Sequence, residues 1–279
     1  MIYVVIPVHN RREFTRNCLL SLQKQTFSDF EIIIVDDGST DGTAEMLDQE
    51  FSALTVLKGD GNLWWTGSVN VGMKQAMKAG ATYIMTLNDD TLHAEDFMEK
   101  THYWSQKHPE AVIGGIEYDQ ANDKIIYGGE RLNEFTAVFH PLLDEIPEDK
   151  RQGLVEVTHL PGRGLLIPRK VIETIGYFDF DRFPHYYADY DYTYSAYKKG
   201  FKVYCNYDAR IYTYPEESGM VEFRAKKSLK AYKNHLFSIR GGANLKDFTR
   251  FAVKNCSPVN LIPHLFLGYT RRLVGYWIH

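Results

Sequence analysis

The chain has 279 residues, 44% hydrophobic and 14% aromatic, enough for one large domain or a domain with an appendage. No uninterrupted apolar run approaches the roughly 20 residues of a bilayer-spanning helix, and Met1 leads straight into a strand-like run without a basic leader, which predicts neither a transmembrane nor a secreted protein. Cys18, Cys205 and Cys256 lie far apart without CxxC spacing, which suits a reducing compartment and argues against structural zinc. The net charge of -4 divides unevenly: residues 220–279 hold 11 Lys and Arg against two acids, a net +9, leaving -13 for residues 1–219. That split suggests an acidic, metal-binding body and a basic surface aimed at phosphates, nucleic acid or an anionic membrane, with a solvated basic helix face as the plainer reading.

Residues 2–8 read as an apolar strand ending at Pro7-Val8-His9-Asn10-Arg11, and Glu13 to Gln25 carries Phe14, Cys18, Leu19 and Leu22 at helical spacing. A second buried strand, 30–35, closes in Asp36-Asp37-Gly38-Ser39 before a helix from Ala44 to Phe51. A short strand at 54–57 precedes a Gly-rich loop, 59–68, that holds Asn62, Trp64 and Trp65, and then a helix from Val69 to Ala79. The strand Tyr83–Leu87 ends in Asn88-Asp89-Asp90. This βαβαβαβ order predicts a largely parallel sheet with right-handed crossovers, and acids at strand ends mark the ligand-binding edge of such a sheet. Mg²⁺ or Mn²⁺ suits paired carboxylates, because it takes one or two of them plus the oxygens of a substrate diphosphate. Helix capping competes for Asp89 and Asp90, since His93 to Phe97 reads as a helix start. Neither GxGxxG nor GxxxxGKS/T occurs, so the ordinary phosphate fingerprints are missing.

Three stretches in order, Val5-Ile6-Pro7-Val8-His9-Asn10-Arg11, Ser21-Leu22-Gln23-Lys24-Gln25-Thr26-Phe27 and Ile34-Val35-Asp36-Asp37-Gly38-Ser39-Thr40-Asp41-Gly42-Thr43, resemble family 2 glycosyltransferases of the GT-A fold. Leu87-Asn88-Asp89-Asp90-Thr91 is similar to their DxD-type metal motif, and Gly61-Asn62-Leu63-Trp64-Trp65-Thr66-Gly67 resembles a bacterial rhamnosyltransferase-like branch. The resemblance implies that Asp37 or Asp36 accepts the N3–H of a pyrimidine, although an Asx-type turn fits the same residues. It places Pro7, His9 and Arg11 around the nucleotide, Asn62, Trp64 and Trp65 on the donor side, Asp90 on the metal, and Asp89 on ribose or the metal's water shell. Core packing is the competing use of the two tryptophans.

Farther along, 112–116 and 124–129 read as strands and 144–151 as a charged connector. Arg163 sits between two glycines in a loop at 161–168, suited either to donor phosphate or acceptor or to a plain hairpin corner. Tyr187-Ala188-Asp189-Tyr190-Asp191 stands where the family usually has Glu-Asp-x-Asp, which implies Asp189 as general base and Asp191 as second acid, with N-capping as the alternative. The late His of many relatives has no counterpart in 209–215, leaving Tyr212 or Tyr214 as substitutes. The basic stretch 223–233 reads as helical, and the apolar, aromatic 259–278 suits a segment resting on a membrane or packed on the domain or another subunit.

The expected fold is thus α/β, a mostly parallel GT-A type sheet flanked by helices with a helical basic C-terminal appendage. Residues 1–219 form the catalytic domain, 1–100 binding nucleotide sugar and 101–219 the acceptor, and 220–279 form the extension. The expected function is inverting, metal-dependent transfer of a sugar from dTDP-rhamnose or a UDP-sugar to a glycan or lipid-linked saccharide of a bacterial surface polysaccharide. It would be cytoplasmic or peripheral on the inner membrane face, with self-association open and no nucleic-acid partner. A sugar-phosphate nucleotidyltransferase, or a non-catalytic nucleotide-sugar-binding partner, is the alternative.

Overall fold

The structure is a computed structural model that describes residues 1–215, 228–239 and 241–278. Its ten-stranded sheet opens with β1 (Ile2–Val8), β2 (Phe30–Asp36), β3 (Thr55–Lys58) and β4 (Tyr83–Thr86), all parallel in the order 3-2-1-4. Side chains alternate across β1: Ile2, Val4, Ile6 and Val8 join one core, Tyr3 and Val5 the other. A strand covered on both faces reads as a continuous apolar run, and a one-residue slip would swap its two faces. Each buried Ile or Val contributes about 1.5–3 kcal/mol over exposure, so register is tightly fixed.

Helices α1 (Arg12–Gln23), α2 (Thr43–Glu50) and α3 (Trp64–Lys78) make the crossovers. The third starts five residues earlier than the sequence suggests, so Trp64 and Trp65 stand in its first turn instead of a loop. Beyond β4 the sheet becomes mixed. A short β5 (Thr91–His93) leads to α4 (Phe97–Lys107), and β6 (Val112–Asp119) is followed by β7 (Ile125–Tyr127). Next come a two-stranded ribbon, β8 (Glu130–Asn133) and β9 (Val138–Pro141), and an edge strand β10 (Leu154–Glu156). Strand β11 (Leu165–Pro168) lies antiparallel between β4 and β6, followed by α5 (Arg169–Ile175) and α6 (Ala188–Lys198). Strand β12 (Val203–Thr213) runs parallel to β6 and antiparallel to β5.

The extension contains α7 (Leu229–Phe237), α8 (Leu245–Asn255) and α9 (Pro258–Ile278). The start of the basic stretch expected at 223–233, and the 219/220 boundary, lie outside the described residues. Several of the extension's cations are spent inside the molecule: Arg250 Nη1 donates to Arg182 O at 2.7 Å, and Arg271 donates to Ala137 O and Thr136 O at 3.0 Å. Glu134 anchors the start of α9, accepting from Ser257 N (3.1 Å) and Asn260 Nδ2 (3.2 Å), while Tyr194 Oη donates to it at 2.6 Å from α6. Burial alone would raise this carboxyl, but the three donors outweigh it and hold Glu134 near 2. No described helix is long and apolar enough to cross a membrane.

Candidate active site

The C-terminal ends of β1 and β4 part company at Pro7. Leu87 N donates to Val5 O at 3.0 Å, and Pro7, two residues on, has no N–H with which to continue the ladder. The split falls where strand order reverses about β1, the crevice in which open α/β sheets bind ligands. Pro7 itself is buried in the strand, so it opens the crevice without lining it. An open cavity of about 490 Å³ begins at the strand's end, lined by Asn10, Arg11, Arg12, Glu13, Phe14 and Asp41. His9 is exposed beside it, its Nδ1 2.7 Å from Asp37 O.

Asn88-Asp89-Asp90 forms the turn between β4 and β5, so neither acid caps a helix; the next helix begins at Phe97. The three side chains point in three directions. Asn88 Oδ1 accepts from Trp65 Nε1 at 2.9 Å. Asp89 is buried, and its carboxylate accepts from Thr15 Oγ1 of α1 at 3.5 Å. Burial, and then the charge of Asp90, pushes Asp89 up to about 8, favouring its neutral form. Asp90 keeps a quarter of its side chain exposed and pairs with Arg11 Nη1 at 2.5 Å. Arg11 in turn lies 5.6 Å from the Phe14 ring centre, and Tyr214 meets that ring edge-on at 5.3 Å, which brings one of the two late tyrosines to the rim.

Among the described residues no three His, Cys, Asp or Glu side chains converge as a metal cage. One exposed carboxylate fits Mg²⁺ or Mn²⁺ in the form where diphosphate oxygens and water complete the ligand set. The chain's own cation, Arg11, already rests on Asp90, which marks that carboxylate as the local seat for positive charge.

Asp36 and Asp37 are both buried, and both are locally engaged. Asp36 Oδ1 accepts from Ser39 N at 3.0 Å, the Asx-type turn that the sequence allows. Asp37 does more: Oδ1 accepts from Gly61 N (2.8 Å), and Oδ2 from Leu63 N (2.9 Å) and Trp64 N (3.1 Å). A carboxylate offers about four acceptor positions, and these three amides use three of them. Asn62 stands at the exposed tip of this loop, its N donating to Asp60 Oδ1 at 2.9 Å.

Trp65, Gly162 and Asp189 form the second wall. Thr86 Oγ1 donates to Gly162 O at 2.5 Å, and Gly162 N donates to Asp189 Oδ2 at 2.9 Å. A Cβ on Gly162 would lie 2.3 Å from the Trp65 ring, so only glycine lets this loop pass between indole and carboxylate. Asp189 Oδ1 accepts from Tyr190 N at 2.9 Å. Burial raises the Asp189 carboxyl, more than the two amides and Arg163 lower it.

Asp191 does not join this wall. Its oxygens accept from Lys254 Nζ and Asn255 Nδ2 of α8, both at 2.7 Å, so it ties α6 to the extension. Arg163 Nε lies 2.8 Å from Glu117, an acid without solvent exposure that burial pushes up. Glu117, Glu134 and the arginines of α9 are site-supporting residues that sequence reasoning passed over. No motif marks them, because their roles arise from chain segments far apart in sequence.

The profile of glycosyl transferase family 2 matches residues 3–176. The glycosyltransferase GlyG of Streptococcus pneumoniae serotype 4 is 29% identical over 132 residues, 46% of this chain and 43% of that protein. The chain spans less than half the length of the curated relatives it matches. Among solved structures, S. aureus TarS 1–349 in complex with UDP-GlcNAc aligns with a TM-score of 0.62 at 15% identity, covering 99% of this chain and 89% of that one. The Pyrobaculum calidifontis mannosyltransferase PcManGT in complex with GDP-Man and Mn²⁺ aligns with a TM-score of 0.62 at 15% identity, covering 99% and 70%. At that identity the likeness is one of fold, and the fold is GT-A-like. With the family profile extending over more than half of its length, the chain belongs to glycosyl transferase family 2.

Proposed function

We propose that the protein is an inverting glycosyltransferase that moves a sugar from a pyrimidine nucleoside diphosphate to a glycan or lipid-linked saccharide hydroxyl. The observation that carries this reading is the convergence at the end of β4 of Asp189, bonded to Gly162 and through it to Thr86, with Trp65, bonded to Asn88 and packed against Gly162. It joins a donor-binding half, residues 1–100, to an acceptor-binding half, 101–219.

In the reaction, the acceptor oxygen attacks the anomeric carbon as its proton passes to Asp189, and the bond to the diphosphate oxygen breaks on the opposite face. Negative charge departs with the nucleoside diphosphate. Arg11, paired with Asp90, is the chain's own cation for that charge. Mg²⁺ or Mn²⁺ bound at Asp90 would neutralise the growing charge on the leaving group. Trp65, fixed by its bond to Asn88, offers an aromatic face to the sugar's C–H surface. The donor is taken as dTDP-rhamnose or a UDP-hexose, since the last acceptor position on Asp37 suits the N3–H of uracil or thymine and finds no such donor on cytosine.

Calorimetric titration with UDP, dTDP, CDP and GDP, each with and without Mn²⁺, tests this. Metal-dependent binding of UDP or dTDP is expected, with CDP and GDP at least about tenfold weaker. Binding of none of the four overturns the reading.

The extension would rest on an anionic membrane. Val259, Ile262, Phe266, Leu273 and Trp277 follow helical spacing along the outer face of α9 and are 41–86% exposed, while Lys230 and Lys233 are exposed on α7. Replacing Ile262 and Phe266 by Asp together should cut partitioning onto phosphatidylglycerol vesicles by at least about tenfold, because each side chain forfeits its apolar burial. Unchanged partitioning would remove the membrane role.

A further inference from the structure

Tyr187 is a strained residue at the entrance to α6, two positions before Asp189. Its φ of 68° and ψ of -10° lie in the left-handed region that non-glycine residues rarely occupy, and such a conformation persists where the surroundings hold it. The hold comes from the extension. The Tyr187 ring lies 5.5 Å from that of Phe251 in α8, and its hydroxyl accepts from Arg272 Nη2 of α9 at 2.5 Å.

Arg272 is itself fixed. Its guanidinium sits 3.7 Å above the Phe248 ring, and Nη1 donates to Gly268 O at 3.2 Å. Gly268 makes that approach feasible: a Cβ there would lie 2.1 Å from Phe248, so a larger residue would push α9 away from α8 and carry Arg272 off Tyr187. On the opposite side of the base, Asp191 is held by Lys254 and Asn255. The first turn of α6 is therefore gripped by two helices that contribute no group to the crevice.

We propose that Arg272, acting through Tyr187, is a positioning residue that sets the angle at which Asp189 meets the acceptor hydroxyl. This rests on the reading of Asp189 as the base. The extension is then part of the catalytic machinery, since an error of about 1 Å at the base costs on the order of 100-fold in rate.

The test compares Tyr187→Phe, which removes only the accepting hydroxyl, with Arg272→Met and the double variant, in the full chain. Each single change should lower kcat about tenfold while the Kd for nucleotide stays within about twofold. The double variant should be no slower than the slower single, because both break one link. Amide exchange of residues 188–193 should quicken at least about tenfold in the variants, a readout that does not depend on activity. Unchanged kcat with unchanged exchange, or losses that multiply in the double variant, overturns the proposal. If the wild type transfers no sugar but exchange quickens in the variants, the grip on α6 stands and the transferase reading is what fails.

Discussion

Asp189→Asn should reduce transfer by about 100- to 10,000-fold while leaving the nucleotide Kd nearly intact. The amide cannot take the acceptor's proton, and among the described residues neither neighbouring acid of the two motifs can replace it: Asp191 is occupied by Lys254 and Asn255, and Asp89 faces α1. The change carries a structural cost as well. Both oxygens of Asp189 accept backbone amides, from Gly162 and Tyr190, so an NH₂ must point at one of them at a cost of about 1–3 kcal/mol. Donor binding must therefore be measured on the same preparation, and a comparable loss of affinity and rate would refute the assignment as base. The pH profile supplies a second criterion. A base acts deprotonated, and burial raises this carboxyl, so wild-type kcat should fall on acidification along a limb lying above the ordinary Asp value of about 3.9. The residual activity of the variant should lack that limb.

Residues 1–100 are the most legible part of the sequence because their signals are local. The continuous apolar run of β1, the acid pairs closing β2 and β4, and the helical spacing of Phe14, Cys18, Leu19 and Leu22 are each signals of a single short stretch. The start of α3 lies ahead of where composition suggests, because the Gly59–Gly67 run looks like a loop, whereas the amides of Leu63 and Trp64 are satisfied by Asp37, some 26 residues away. The same distance problem hid the extension's role. Its +9 charge reads as a surface for anions, yet Arg250, Lys254, Arg271 and Arg272 are spent on Arg182, Asp191, the Thr136–Ala137 turn and Tyr187. Composition reports that charge is present but not which partner the chain brings to it.

Asp37→Ala should be the most damaging single change to the donor side, through loop architecture before any contact with a base. Removing the carboxylate strips the amides of Gly61, Leu63 and Trp64 of their acceptor in a half-buried loop, which at about 1–3 kcal/mol for each unsatisfied group predicts a loss of roughly 3 kcal/mol or more in stability. Trp64 has a φ of 54°, a left-handed conformation that the Asp37 bond helps to hold, so the first turn of α3 should rearrange and carry the Trp65–Asn88 bond with it. Asp37→Asn separates the two roles. Its remaining oxygen can keep the two amides of Leu63 and Trp64, while the NH₂ takes the place of the oxygen that accepts from Gly61 N and whose spare lone pair would face a pyrimidine N3–H, at a cost of about 1–3 kcal/mol. A protein whose denaturant midpoint lies well above that of Asp37→Ala, yet which binds UDP or dTDP at least about tenfold more weakly than wild type, would assign Asp37 to both loop and base. Full nucleotide affinity in Asp37→Asn, beside an unstable Asp37→Ala, would leave it as the organiser of the loop alone.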